Sequence, residues 1–154
     1  MENTTPENNE KQPGFMIQKI YTKDISYEAP NTPVVFKANW RPEANVNVDT
    51  NAAQIEGGIY EVDLTLTITV KNDQDNAYLI EVTQAGIFTI ENMPQEQIDA
   101  MLGAYCPTAL FPYIKETIDS LINKGGFPQI NLAPINFDAL YMQKLSGQTQ
   151  ATSH

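Results

Sequence analysis

The chain is nearly devoid of histidine and cysteine. Its one histidine, His154, is the last residue, and its one cysteine is Cys106. A Cys–His pair or a Ser–His–Asp set needs an imidazole beside the nucleophile, so neither can be assembled. A lone cysteine excludes a disulfide within the chain. Its place beside Pro107, in an apolar helical stretch, makes it inert core rather than a reactive thiol. Metal-ligand spacings (HExxH, CxxC, an EF-hand loop) and phosphate-binding glycine signatures are missing as well. Positive charge is scarce: 9 Lys and Arg stand against 19 Asp and Glu, a net charge of −10. Without clustered cations, nucleic acid and anionic membrane surfaces are poor partners, and basic polypeptides are favoured. No apolar run approaches a membrane span. Met1–Pro6 has none of the basic-then-apolar pattern of a secretion signal. A cytoplasmic protein is expected, with no nucleic-acid partner and no insertion into a membrane.

What is present is one domain's worth of chain: 154 residues, 42% of them hydrophobic. Composition predicts an acidic, disordered tail at 1–14 and a flexible tail at 146–154, leaving 15–145 as the folded domain. Phe15 to Glu28 alternates as a strand. Phe15, Ile17, Tyr21, Ile25 and Tyr27 fall on one face and Gln18, Thr22, Asp24, Ser26 and Glu28 on the other, with Ile20 the apolar exception. Val46 and Val48 mark a second strand after a short aromatic, proline-flanked stretch. Tyr60 to Val70 alternates most cleanly, with Glu61, Asp63 and threonines on its polar side. Asn72 to Asn76 reads as a hairpin turn, and Tyr78 to Ile90 as the strand that pairs back. The period then becomes helical over Gln95–Tyr105 and Thr108–Asn123, where Pro107 and Pro112 are expected to kink or divide the helix. Gly125-Gly126 caps it, and Asn136 caps a short helix striped by Phe137, Leu140, Tyr141 and Leu145. Strands followed by helices give an α+β fold: a four-stranded antiparallel sheet with one long and one short helix on one face.

Three surfaces then stand out. Phe36, Trp40 and Phe127 lie on irregular, proline-flanked segments, where they either fill the core or wall an apolar trough. The segment GGFPQINLAPINF (Gly125 to Phe137), with Ile130 and Leu132, is too apolar for an ordinary surface loop. The uncovered sheet face collects Asp24, Glu28, Glu61, Asp63 and Glu81, either simply solvated or a dock for a basic partner. The long helix carries more apolar residues than one stripe needs, so part of it can meet another subunit. Rival readings are an enzyme using Glu61 and Asp63 as an acid–base pair and a carrier of small apolar ligands with an internal cavity.

The stretches IYTKDISYEAPN (Ile20 to Asn31), GIF (Gly86 to Phe88), LGAYCPTALFPY (Leu102 to Tyr113) and GGFPQINLAPINFDALY (Gly125 to Tyr141) resemble SecB, the bacterial protein-export chaperone family. The likeness runs in order from Phe15 to Leu145. It implies a homotetramer, a dimer of dimers, that holds secretory precursors unfolded without hydrolysing ATP and passes them to the motor SecA. It places the polypeptide groove along Phe36, Trp40 and the connector Gly125 to Pro134, which carries Phe127, Ile130 and Leu132. It puts SecA docking at Asp24, Glu28, Leu79 and Glu81. Ile80, Val82 and Gln84 match positions where subunit pairing is sensitive to substitution. It implies no catalytic residue, metal or cofactor on this chain, any zinc belonging to the SecA tail.

Overall fold

The computed structural model describes residues 12–151, with side chains to 147. The expected tails therefore lie partly outside the described residues, and the backbone of Ser146–Ala151 continues the last helix.

Four strands, β1 (Gly14–Glu28), β2 (Pro42–Glu56), β3 (Ile59–Asn72) and β4 (Asp75–Glu91), form one antiparallel sheet in the order β1-β4-β3-β2. Two tight hairpins fix the register. Asp73 and Gln74 both adopt positive φ between the paired Asn72 and Asp75, and Gly57 does so between Glu56 and Ile59. Positive φ at a two-residue turn matches the right-handed twist of the strands it joins. The β1–β2 connection must instead cross the end of the β3–β4 hairpin. It does so through Ala29–Arg41, which includes a single 3₁₀ turn, Val34–Lys37.

The inward rows of the two central strands are fully buried: Val62, Leu64, Leu66, Ile68 and Val70 from β3, with Tyr78, Ile80, Val82 and Phe88 from β4. Opposite them run α1 (Gln95–Ala100), a π turn (Met101–Tyr105) and α2 (Cys106–Lys124) as one unbroken helical path. Leu110, Ile114, Ile118 and Ile122, four residues apart, are its fully buried row. Each such side chain contributes about 1.5–3 kcal/mol by leaving water. The expected division at the prolines does not occur. The wide π turn absorbs Pro107, and Thr108 Oγ1 donates to the Ala104 carbonyl at 2.7 Å, while Pro112 sits on the exposed side of α2. A π bulge re-satisfies a ladder that proline would otherwise break.

The end of α2 is a Schellman motif. Gly126, at φ +81°, donates to the Asn123 carbonyl at 3.1 Å, and the Phe127 amide returns to Ile122 at 3.2 Å. The chain then runs without regular structure to α3 (Phe137–Ala151), which Asn136 caps by accepting the Ala139 amide on Oδ1 at 3.0 Å. Phe137, Leu140 and Tyr141 of the expected stripe turn inward, but Leu145 stays 39% exposed. Gly103 in the π turn leaves room for the Tyr141 ring, which a Cβ there would overlap.

The structure corrects one face assignment. β1 carries bulges between Ile17 and Lys19 and between Thr22 and Asp24, each flipping the alternation. Ile20 thereby packs against the core and Thr22 meets Gln84 at 2.8 Å, while Tyr21 moves to the outer face. The single apolar exception in the β1 pattern is the trace of these two bulges.

Candidate polypeptide groove and acidic sheet face

Phe127 enters the core directly from the Schellman turn, and three aromatic rings gather on it. Its centroid lies 4.8 Å from Tyr78, 5.1 Å from Phe36 and 5.6 Å from Trp40. These contacts join the connector to the β1–β2 crossover, as the sequence pattern suggested. The members differ in exposure. Phe36 is 51% exposed, Trp40 and Ile130 are half-buried, and Phe127 and Leu132 retain only 6% and 7%. Phe127 is thus the floor of the aromatic site, and Phe36 and Trp40 form its accessible wall, while Leu132 is buried in the core further along the connector. Val34, in the same 3₁₀ turn as Phe36, is exposed as well. Beneath the floor, burial pushes the Tyr78 hydroxyl up to about 12. A cavity of about 370 Å³ adjoins the crossover, lined by Pro30, Val34, Val35, Asn72, Asp73 and Asp75 among others.

A larger cleft, about 610 Å³, lies where α3 leans over edge strand β2. Val48, Thr50 and Ala52 line one side, and Leu102, Leu140 and Tyr141 the other. Lys144 Nζ crosses to Thr50 Oγ1 at 3.2 Å. Because β2 is the last strand of the sheet, its outer main-chain groups have no strand partner. Sequence reading found the stripe of α3 but not its seat on the π turn, because helix placement is a long-range packing outcome. For the β2 side of the cleft, the Val46, Val48, Thr50 alternation was the available signal.

On the outer face, register places Glu28 opposite Leu79, Ser26 opposite Glu81 and Asp24 opposite Thr83. Asp24, Glu28 and Glu81 are exposed around a half-buried Leu79, so these four residues share one patch. Thr67 Oγ1 donates to Glu81 Oε2 at 3.0 Å and orients that carboxylate. Glu61 and Asp63 are not a free acid–base pair. The Tyr21 hydroxyl donates to Glu61, while Lys23 Nζ bridges Glu61 at 3.1 Å and Asp63 at 3.2 Å. The Tyr21 hydrogen bond holds Glu61 below the usual carboxylate range. Burial pushes Asp63 up, one of its oxygens being enclosed without a partner among the described residues.

Ile80 and Val82 lie beneath α2, fully buried, and Gln84 is buried as well, accepting from Thr22. All three pair with edge strand β1, opposite Tyr27, Ile25 and Thr22. Cys106 is fully buried, and burial pushes its thiol up to about 12. Among the described residues no group of three or more His, Cys, Asp or Glu could hold a metal, and no helix is long and apolar enough to cross a membrane.

The family model described as preprotein translocase subunit SecB matches residues 8–148. The chain belongs to the SecB family. It is 56% identical over 140 residues to protein-export protein SecB 1 of Francisella tularensis subsp. tularensis, covering 91% of this chain and 95% of that protein. It is 52% identical over 150 residues to protein-export protein SecB of Legionella pneumophila, covering 97% and 91%. Among solved structures, a SecB-like chaperone of Mycobacterium tuberculosis, in complex with a peptide from an antitoxin, shares the fold with a TM-score of 0.66. That match has 16% identity and covers 79% of this chain and 90% of that one. This SecB-family protein is thus an α+β protein-export chaperone, its four-stranded antiparallel sheet carrying its helices on one face.

Proposed function

We propose that this chain captures unfolded secretory precursors in the cytoplasm, without ATP hydrolysis or other catalysis, as a homotetramer that hands them to SecA. The observation that carries the reading is the half-open aromatic site, Phe36 and Trp40 standing over a Phe127 floor, with a second apolar cleft further along the molecule between α3 and edge strand β2. An extended segment laid there removes apolar side chains from water at roughly 25 cal/mol per Å². Its main chain can pair with the outer edge of β2, which supplies affinity independent of sequence. A protein of the same fold was solved with a peptide bound, which supports the polypeptide reading. Asp24, Glu28, Leu79 and Glu81 are the docking patch for SecA. Ile80, Val82 and Gln84 act on subunit pairing from inside, by setting the shape of β1. The chain itself needs no cofactor, and a zinc in the complex belongs to the SecA tail.

The test is suppression of aggregation of a denatured precursor without nucleotide, with native mass measured in parallel. Activity with a mass near four times 17.2 kDa supports the reading. A monomer that binds small apolar molecules and leaves aggregation unchanged would make it a carrier using the cleft under α3.

A further inference from the structure

The outer sheet face is electrically divided, and the lysine that divides it is Lys23, the one on that face in ion pairs with its acids among the described residues. The bulge between Thr22 and Asp24 leaves Lys23 outside the β1–β4 register, so Lys23 and Asp24, adjacent in sequence, both serve the outer face. Lys23 nonetheless bonds to β3, one strand further on, reaching Glu61 at 3.1 Å and Asp63 at 3.2 Å. Tyr21 makes the same crossing to Glu61. The crossing passes Ala85, which pairs with both Tyr21 and Asp63 and is fully buried although it points outward. A bulkier residue there would block the span.

The remaining acids are arranged differently. Asp24, Glu28 and Glu81 are exposed, and none of the three is in an ion pair among the described residues. Glu81 is held only by a neutral hydroxyl, Thr67. A cation from a partner meets these three directly. To reach Glu61 or Asp63 it must first displace Lys23, and exchanging one ion pair for another gains little.

We propose that Lys23, with Tyr21 beside it, is a specificity-determining residue of the docking face. It withholds Glu61 and Asp63 from a basic polypeptide partner and confines docking to the Asp24–Glu28–Glu81 half. The inference rests on the docking reading above and adds to it a boundary and the residue that sets it.

SecA binding to the full-length protein at two salt concentrations tests this, with thermal melting to check each variant. Glu61→Gln with Asp63→Asn leaves SecA affinity within about twofold of wild type, because those acids lie outside the footprint. Lys23→Gln tightens binding roughly threefold to tenfold and steepens its salt dependence, as two carboxylates become available. Adding Glu61→Gln and Asp63→Asn to Lys23→Gln removes that gain. Should Asp63→Asn perturb the fold, Glu61→Gln alone serves, and amide shifts at Glu61 and Asp63 upon SecA binding appear only in the Lys23→Gln background. The proposal is overturned if neutralising Glu61 and Asp63 weakens wild-type binding as much as Asp24→Lys with Glu81→Lys, or if Lys23→Gln changes nothing. If SecA binds regardless of Asp24 and Glu81, the docking reading itself fails and this boundary with it.

Discussion

At the scale of single residues, the side chains that define the surfaces are held by neighbours of unlike chemistry. Tyr21 is the clearest case. Burial and then the hydrogen bond to Glu61 raise its hydroxyl from 10.0 to about 12. The folded chain therefore holds this proton more tightly than the unfolded one. The stabilisation is complete below pH 10 and is lost as pH rises through about 12. Urea unfolding should show wild type ahead of Tyr21→Phe by about 1 kcal/mol at neutral pH. The gap should close between about pH 10 and about pH 12; a gap independent of pH would dissociate Tyr21 from Glu61. Cys106 gives a second residue-scale expectation. Its thiol, pushed up to about 12 by burial, should resist alkylation at neutral pH until the chain is unfolded. Labelling of the native protein at the rate of a free thiol would contradict its placement. That Cys106 is inert was legible in the sequence, since its apolar helical surroundings were visible there. The Tyr21–Glu61 bond was not legible. It depends on a bulge, which a two-residue repeat hides as an apparent exception at Ile20.

At the scale of elements, the sheet was read more fully than its helices. β3 and β4 alternate cleanly because one side faces α2 and the other does not, so burial is written into every second residue. The helical period, the glycine cap and the Asn136 cap are local and were equally legible. The behaviour of the prolines was not, because a π turn depends on how the widened helix packs, and Pro107 alone cannot announce it. The docking of α3 on the π turn is the least local feature, and it depends on Gly103 accommodating Tyr141. Gly103→Ala should displace α3 while the sheet and α2 persist. Hydrogen exchange should then accelerate over Phe137 to Gln143 and remain slow in β3 and β4. Uniform protection across both regions would show that Tyr141 is not the anchor. Ile118→Ala should act globally instead, costing about 2–5 kcal/mol by leaving a cavity under the sheet. This follows because Ile118 is fully buried in the core.

At the scale of the molecule, the fold keeps two surfaces apart. Helices and connector cover one face of the sheet and put the aromatic site at its end, while the acids occupy the opposite face. Under the proposed function, this separation means that capture and delivery can be altered independently. Asp24→Lys with Glu81→Lys should abolish SecA binding and spare client affinity. The aromatic cluster was legible in outline, since aromatic residues on proline-flanked segments have no periodic reason to be there. The depth of its members was not, because Phe127 and Phe36 look alike in sequence but differ greatly in exposure. Phe127 substitutions will report on stability as well as binding, so the exposed pair is the sound probe. The most direct measurement is therefore the affinity of the full-length protein for a denatured secretory precursor, in wild type and in Phe36→Ser with Trp40→Ser. The account predicts a loss of roughly tenfold or more, with melting temperature and SecA binding little changed. Unaltered precursor affinity in a folded double variant would contradict it.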